Sequence, residues 1–199
     1  NGRGASTLMF WISCFMCLFM VYALSSWLTK LMAQAGYSLG SALSFVLVLN
    51  AGAIAGALCG GWLADKFHIK WVLVGMYLLA AVSIALLGTR MSTERLYVLV
   101  ALAGATTIGT QIVTSSYAGQ FYPLHARTTG VGFMLGIGRA GAILAPTLIG
   151  VLVSMAMPLQ QNFLAIAIPA LIAAIATAMI NHARSASVQP AVAVSIAAT

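Results

Sequence analysis

Polar positions along this chain come in short clusters, and long apolar runs separate them. The runs cover 8–28, 42–64, 71–87, 96–118, 130–155 and 163–180. A helix needs about 20 residues, within a range of about 17–25, to cross a hydrocarbon core about 30 Å thick. Every backbone amide in that core must find its partner inside the protein, and a helix satisfies its own. The pattern therefore predicts an all-α membrane protein with six transmembrane helices. The loops between the runs are short and hold almost all the charge, whereas 181–199 is rich in Ala and Ser and is expected to be a flexible cytoplasmic tail.

Composition agrees with the pattern and removes other classes. Hydrophobic residues make up 62% of the chain and charged residues only 6%, against about 25% charged in a soluble domain. Lys and Arg outnumber Asp and Glu by nine to two, but they are scattered singly between apolar runs, so no nucleic-acid partner is expected. Cys14, Cys17 and Cys59 lie inside apolar runs as small buried or lipid-facing side chains, and Cys14-x-x-Cys17 lacks the βαβ frame of a redox motif. No nucleophile, metal cluster or paired acids occur at ligand spacing, so an enzyme, a metal site and a cofactor are not expected. The chain opens on Asn1-Gly2-Arg3-Gly4, with neither an initiator methionine nor a signal-peptide pattern, which predicts a piece of a longer protein.

The bias of Lys and Arg toward the cytoplasm sets an expected orientation. With both ends of the segment inside, Arg3, Lys66, Lys70, Arg127 and Arg184 are cytoplasmic and Lys30, Arg90 and Arg95 are outside. His68, His125 and His182 fall inside as well.

The spans differ in kind. The third and sixth are almost purely apolar and are expected to face lipid. Gly52-x-x-x-Gly56-x-x-x-Gly60 in the second and Gly132-x-x-x-Gly136-x-x-x-Ala140 in the fifth let backbones approach closely, which marks packing helices. The fourth carries Thr107, Gln111, Thr114 and Ser115 on one face, with Thr106 and Thr110 beside it, a face that wants water, a partner or a solute. Trp11, Phe15, Tyr22 and Ser25 follow one side of the first.

One charge lies deep in an apolar run. Arg139 is nine residues past Gly130, about 14 Å in at about 1.5 Å of rise per residue. A charge at that depth costs at least about 2.5–3.5 kcal/mol, so it should face an aqueous cavity or an anion. The two acids, Asp65 and Glu94, sit at the membrane surfaces. Two readings follow. Arg139 braces backbone carbonyls or a carboxylate on a further part of the protein, or it grips the carboxylate of a substrate through its planar pair of donors. Asn50 and Gln111 are further polar residues at depth, with interhelical hydrogen bonding as their alternative role.

Certain motifs here resemble a known family. Gly61-x-Leu63-x-Asp65-Lys66-x-x-x-Lys70 is similar to the Gly-x-Leu-x-Asp-Arg-x-Gly-Arg-Lys signature of the major facilitator superfamily, with His68 in the glycine position and Ile69 where a base often stands. The segment from Tyr122 to Pro146, "YPLHARTTGVGFMLGIGRAGAILAP", resembles the eleventh helix and preceding loop of its aromatic acid:proton symporters, the 4-hydroxybenzoate and benzoate type. "SSWLTKLMAQAGYS" and "NAGAIAGALCGGWLAD" resemble their seventh and eighth helices.

The resemblance covers about residues 8 to 180. It implies the carboxyl-terminal six-helix half, a 3+3 repeat, of a twelve-helix transporter in the bacterial inner membrane. The first and fourth spans would line a central cavity, and an amino-terminal half would close it. Function is then expected to be alternating-access uptake of a small aromatic carboxylate with protons. Arg139 would bind the carboxylate, with Tyr22, Asn50 and Gln111 as further contacts. Asp65, Lys66 and Arg127 would act in gating. No acid or histidine lies inside a span, so a proton-coupling group would belong to the other half. A drug:proton antiporter and a membrane scaffold are the competing expectations. A cationic drug would be repelled by Arg139, and a scaffold leaves that residue without purpose.

Overall fold

The computed structural model describes residues 4–89 and 92–186; Arg3, Arg90 and everything past Ala186 lie outside the described residues. Six helices follow one another: α1 Gly4–Gln34, α2 Leu39–Lys66, α3 Ile69–Leu87, α4 Thr93–Phe121, α5 Leu124–Ser154 and α6 Leu159–Met179. A single 3-10 turn, His182–Arg184, comes after them. All six are long and apolar enough to cross a membrane. Most run past the ends of their apolar stretches. At 31 residues, α1 spans about 46 Å, so its ends stand in the interfacial layers, where polar side chains do not interrupt a helix.

Local chemistry sets the boundaries. Gly36 takes φ +96° at the end of α1, and the Tyr37 amide reaches back to the Met32 carbonyl at 3.2 Å, the left-handed closure that glycine makes without strain. Ser38 opens α2 by accepting the Ser41 amide at 3.3 Å. Pro123 and Pro158 precede α5 and α6, where a missing N–H costs nothing.

The helices pair in a symmetric way. α1 lies along α5 and α2 along α4; α1 also meets α6, α4 meets α3, and α3 meets α6. Exchanging the first three helices with the last three reproduces this pattern. The 3+3 repeat is thus written in the packing, although the sequence shows it only as glycine richness.

Glycine makes both long pairings possible. A Cβ on Gly52 or Gly56 would overlap the backbone of Ala101 or Ala105 on α4, and one on Gly104 would overlap Leu49. On the other arm, a Cβ on Gly138 would stand 2.7 Å from Cys14 Sγ, and one on Gly141 would overlap the Phe15 carbonyl. Here the sequence reading needs correction. The Gly132, Gly136 and Ala140 stripe of α5 packs against no other helix among the described residues, since none of them lies within 4 Å of where a Cβ on either glycine would be. The inward stripe is Gly138, Gly141, Ala142 and Ala145.

The polar face of α4 is corrected too. Thr106, Thr107, Thr110 and Thr114 are buried. Three of them return their hydroxyls to their own helix, as Thr107 does to the Ala103 carbonyl at 2.7 Å, and so become small packing residues. Thr114 joins a buried network instead. The Tyr77 hydroxyl of α3 lies 2.9 Å from Thr114 and 3.3 Å from Ser13 of α1, and Ser13 lies 2.9 Å from Thr177 of α6. Four helices meet through hydroxyls at one level.

α3 and α6 bury one side, through Tyr77, Ile84, Phe163 and Ile166, and expose an apolar other side, including Leu78, Val82, Ile168 and Ile175. This is the surface lipid requires. The expected flexible tail is corrected at its start: residues 181–186 are docked on the bundle, because they satisfy helix-end groups there.

Candidate functional site

Arg139 is fifteen residues from either end of α5. That is about 22 Å of helix on each side, so the middle position survives even though the helix starts well before Gly130. Gly138 and Gly141 flank it and draw α5 onto α1. Because α1 and α5 run parallel, the pairing brings the middle of each to the same depth. There the Arg139 guanidinium Nη1 donates to the Tyr22 hydroxyl at 2.8 Å. Among the described residues this is its one hydrogen bond, and it makes no ion pair.

The side chain remains exposed. Its face of α5 continues through Gly132, Gly136 and Ile143, all exposed, and the two glycines leave a shallow groove of about 510 Å³ lined also by Phe133, Ile137 and Ala140. A neutral phenol orients a guanidinium without cancelling its charge. Four N–H donors of the fork therefore stay open.

The other predicted contacts do not join this pair. Asn50 is exposed on α2 and donates to the Val46 carbonyl of its own helix at 2.8 Å. Gln111 is partly exposed on α4, and its side chain has no hydrogen-bond partner among the described residues. Of the aromatic side of α1, Tyr22 alone bonds to the arginine. Trp11, eleven positions earlier and so on the same face, has a buried indole N–H with no acceptor among the described residues.

Two residues that the sequence reading did not single out complete the α1–α5 seam. Trp27 Nε1 donates to the Pro146 carbonyl at 3.1 Å, and a Cβ on Gly150 would meet its ring at 3.1 Å. Pro146 lacks the N–H that would bond to Ala142, so Trp27 braces α5 where its ladder is broken. The signal was the proline inside an apolar run. Lys30 lies 4.7 Å over the Trp27 ring and covers the outer end of this contact.

Asp65 and Lys66 are the last two residues of α2, and Arg127 lies in the first turn of α5, at the same end of the bundle. All three are exposed. Lys66 sits 4.9 Å over the Trp62 ring. Asp65 at a helix carboxyl end and Arg127 at a helix amino end each oppose the dipole of their own helix. Neither has an ion-pair partner among the described residues.

With this geometry established, comparison with known proteins defines the family. The Major Facilitator Superfamily pattern matches residues 10–193. A benzoate transport protein of Acinetobacter baylyi is 47% identical over 188 residues, 94% of this chain and 40% of its own length. A gentisate transporter of Corynebacterium glutamicum is 37% identical over 86% of this chain and 38% of its own length. A 4-hydroxybenzoate transporter of Pseudomonas aeruginosa is 37% identical over 90% of this chain and 41% of its own length. The chain thus spans about two fifths of the length of these curated relatives. By the match across nearly all of its residues, and by its six membrane-length helices, the chain belongs to the Major Facilitator Superfamily.

Proposed function

We propose that this chain is the carboxyl-terminal six-helix half of a twelve-helix transporter that carries a small aromatic carboxylate across the bacterial cytoplasmic membrane. The observation that carries the proposal is the mid-helix Arg139, exposed, oriented by Tyr22 and without a counter-ion among the described residues. A guanidinium at that depth is stable only beside water or an anion, and its fork matches a carboxylate. The names of the relatives, transporters of benzoate, gentisate and 4-hydroxybenzoate, supply the aromatic part.

In this reading the exposed faces of α1, α2, α4 and α5 meet an amino-terminal half, and the substrate binds between the halves at the level of Arg139. Asn50 and Gln111 are weaker contacts from α2 and α4. Alternating access exposes the site first to one side and then to the other. Asp65 and Arg127, mismatched to their own helix ends, exchange partners on the other half as the cytoplasmic side opens and closes, with Lys66 beside them. Both ends of the segment lie in the cytoplasm, the side that carries Lys66, Lys70 and Arg127. Uptake is coupled to protons through a titrating group of the other half, since Asp65, Glu94 and His125 stand at helix ends and no acid or histidine occurs in the apolar runs between them.

The test uses the intact protein in membrane vesicles with radiolabelled benzoate, with and without an inward proton gradient. The proposal expects accumulation driven by the gradient, competed by 4-hydroxybenzoate and gentisate but not by benzamide, which keeps the ring and loses the charge. Equal competition by benzamide, or no uptake of any aromatic acid, would contradict it.

A further inference from the structure

Directly after α6 the chain turns under the end of the bundle where α1 begins. The Lys70 ammonium of α3 donates to the Ile180 carbonyl at 2.8 Å. The Asn181 amide donates to Ser6 Oγ of α1 at 3.2 Å. Asn181 Oδ1 then accepts the Ala183 amide at 3.2 Å and caps the 3-10 turn. His182 Nδ1 stands 3.2 Å from the Tyr117 hydroxyl of α4. Further on, Ser185 Oγ donates to the Gln120 carbonyl at 3.2 Å and the Ala186 amide donates to the Phe121 carbonyl at 2.9 Å. Gln120 and Phe121 end α4, where carbonyls have no partner within the helix. A short strap thus ties together the inner ends of three helices.

His182, its one member that titrates near neutral pH, faces cations and neutral groups, with Arg184 two positions along the same turn. Tyr117 approaches His182 from α4, His68 from the α2–α3 turn with ring centroids 6.3 Å apart, and Lys70 from the first turn of α3. Among the described residues no carboxylate pairs with it. We propose that residues 180–186 form a pH-responsive strap, docked on α1, α3 and α4 while His182 is neutral and released when His182 gains a proton.

Burial, and after it the charges of His68 and Lys70, push the docked imidazole below its ordinary value of 6.5. A released strap exposes His182 to water and restores that value. At pH above it both forms are neutral and docking is at full strength. As pH falls through about 6.5 the released form takes the proton more readily, so docking weakens. α1 and α4 are the helices placed along the substrate path in the reading above, so release loosens the inner end of that path. Which compartment is sensed rests on the proposed orientation, whereas docking itself does not depend on transport.

Amide hydrogen exchange of the intact protein in lipid nanodiscs, corrected for the intrinsic pH dependence of exchange, tests the strap directly. The amides of Ser185 and Ala186 are expected to be protected at about pH 8 and to lose protection at about pH 5.5. His182→Gln removes the titration and keeps a polar group before Tyr117, so its protection should persist at the lower pH. If that variant fails to dock at either pH, His68→Gln decides, since removing one neighbouring charge should shrink the acid-induced loss. Wild-type protection that is independent of pH, an equal acid loss in a docked His182→Gln, or an unchanged loss in His68→Gln would overturn the proposal. Failure of the transport reading would leave each of these results intact.

Discussion

The Arg139 guanidinium donates to the Tyr22 hydroxyl at 2.8 Å, across two parallel helices that touch at their midpoints. The bond holds one edge of the fork and leaves the remaining donors free. Tyr22→Phe should therefore keep the charge and lose its aim. A hydrogen bond to a charged group contributes about 1.5–3 kcal/mol, so KM for an aromatic acid should rise about tenfold or more with kcat little changed. Initial-rate uptake over graded substrate concentrations measures both, and an unchanged KM would show that Tyr22 does not orient the arginine.

Close approach of α5 to α1 sets the depth of that pair. Gly141→Ala places a methyl group into the Phe15 carbonyl, and overpacking of this kind costs about 1–3 kcal/mol. Gly136→Ala adds the same methyl group where nothing lies within 4 Å. Thermal unfolding followed by size-exclusion chromatography should show a lower midpoint for the first within this half. The second changes packing only where a further part of the protein covers that groove. Equal stability of wild type and Gly141→Ala would contradict the packing described.

Removal of the Tyr77 hydroxyl orphans one buried partner and weakens the bonding of a second. In Tyr77→Phe, Thr114 loses its cross-helix partner and Ser13 keeps only Thr177. Buried hydroxyls left unpaired cost about 1–3 kcal/mol, so the thermal midpoint should fall although the ring still fills its space. An unaltered midpoint would mean that the network adds no stability.

Much of this was legible beforehand, and the misses have physical causes. Apolar runs located all six helices because the bilayer demands continuous hydrophobicity, but they could not locate helix ends, which lie in polar interfacial layers beyond the runs. Arg139 was readable because a lone charge at depth stands out against its neighbours, whereas its bond to Tyr22, expected only as a further substrate contact, depends on how α1 and α5 pair. The glycines were harder. Gly132 and Gly136 have the familiar four-residue spacing, yet Gly138 and Gly141 make the contact, because which stripe turns inward depends on where the partner helix lies. The threonines of α4 misled for a related reason, since a hydroxyl bonded to its own helix is no longer a polar surface. Residues 181–186 read as tail because short Ala- and Ser-rich segments dock through backbone groups, which composition does not reveal.

Ala156, in the turn after α5, is the one non-glycine residue with positive φ among the described residues, at 52°. A side chain in that left-handed region costs about 1 kcal/mol or more. Ala156→Gly should accordingly raise the thermal midpoint slightly without altering uptake, and a lowered midpoint would show that the turn is not strained.

The most direct test of the account is uptake and binding of labelled benzoate by wild type, Arg139→Lys and Arg139→Ala of the intact protein at matched expression. Lysine keeps the charge but replaces a rigid fork with a point charge. The account predicts that Arg139→Lys loses most uptake, that Arg139→Ala loses all of it, and that both variants bind benzoate far more weakly than wild type. Wild-type uptake by either variant would contradict a role for this guanidinium in holding the carboxylate.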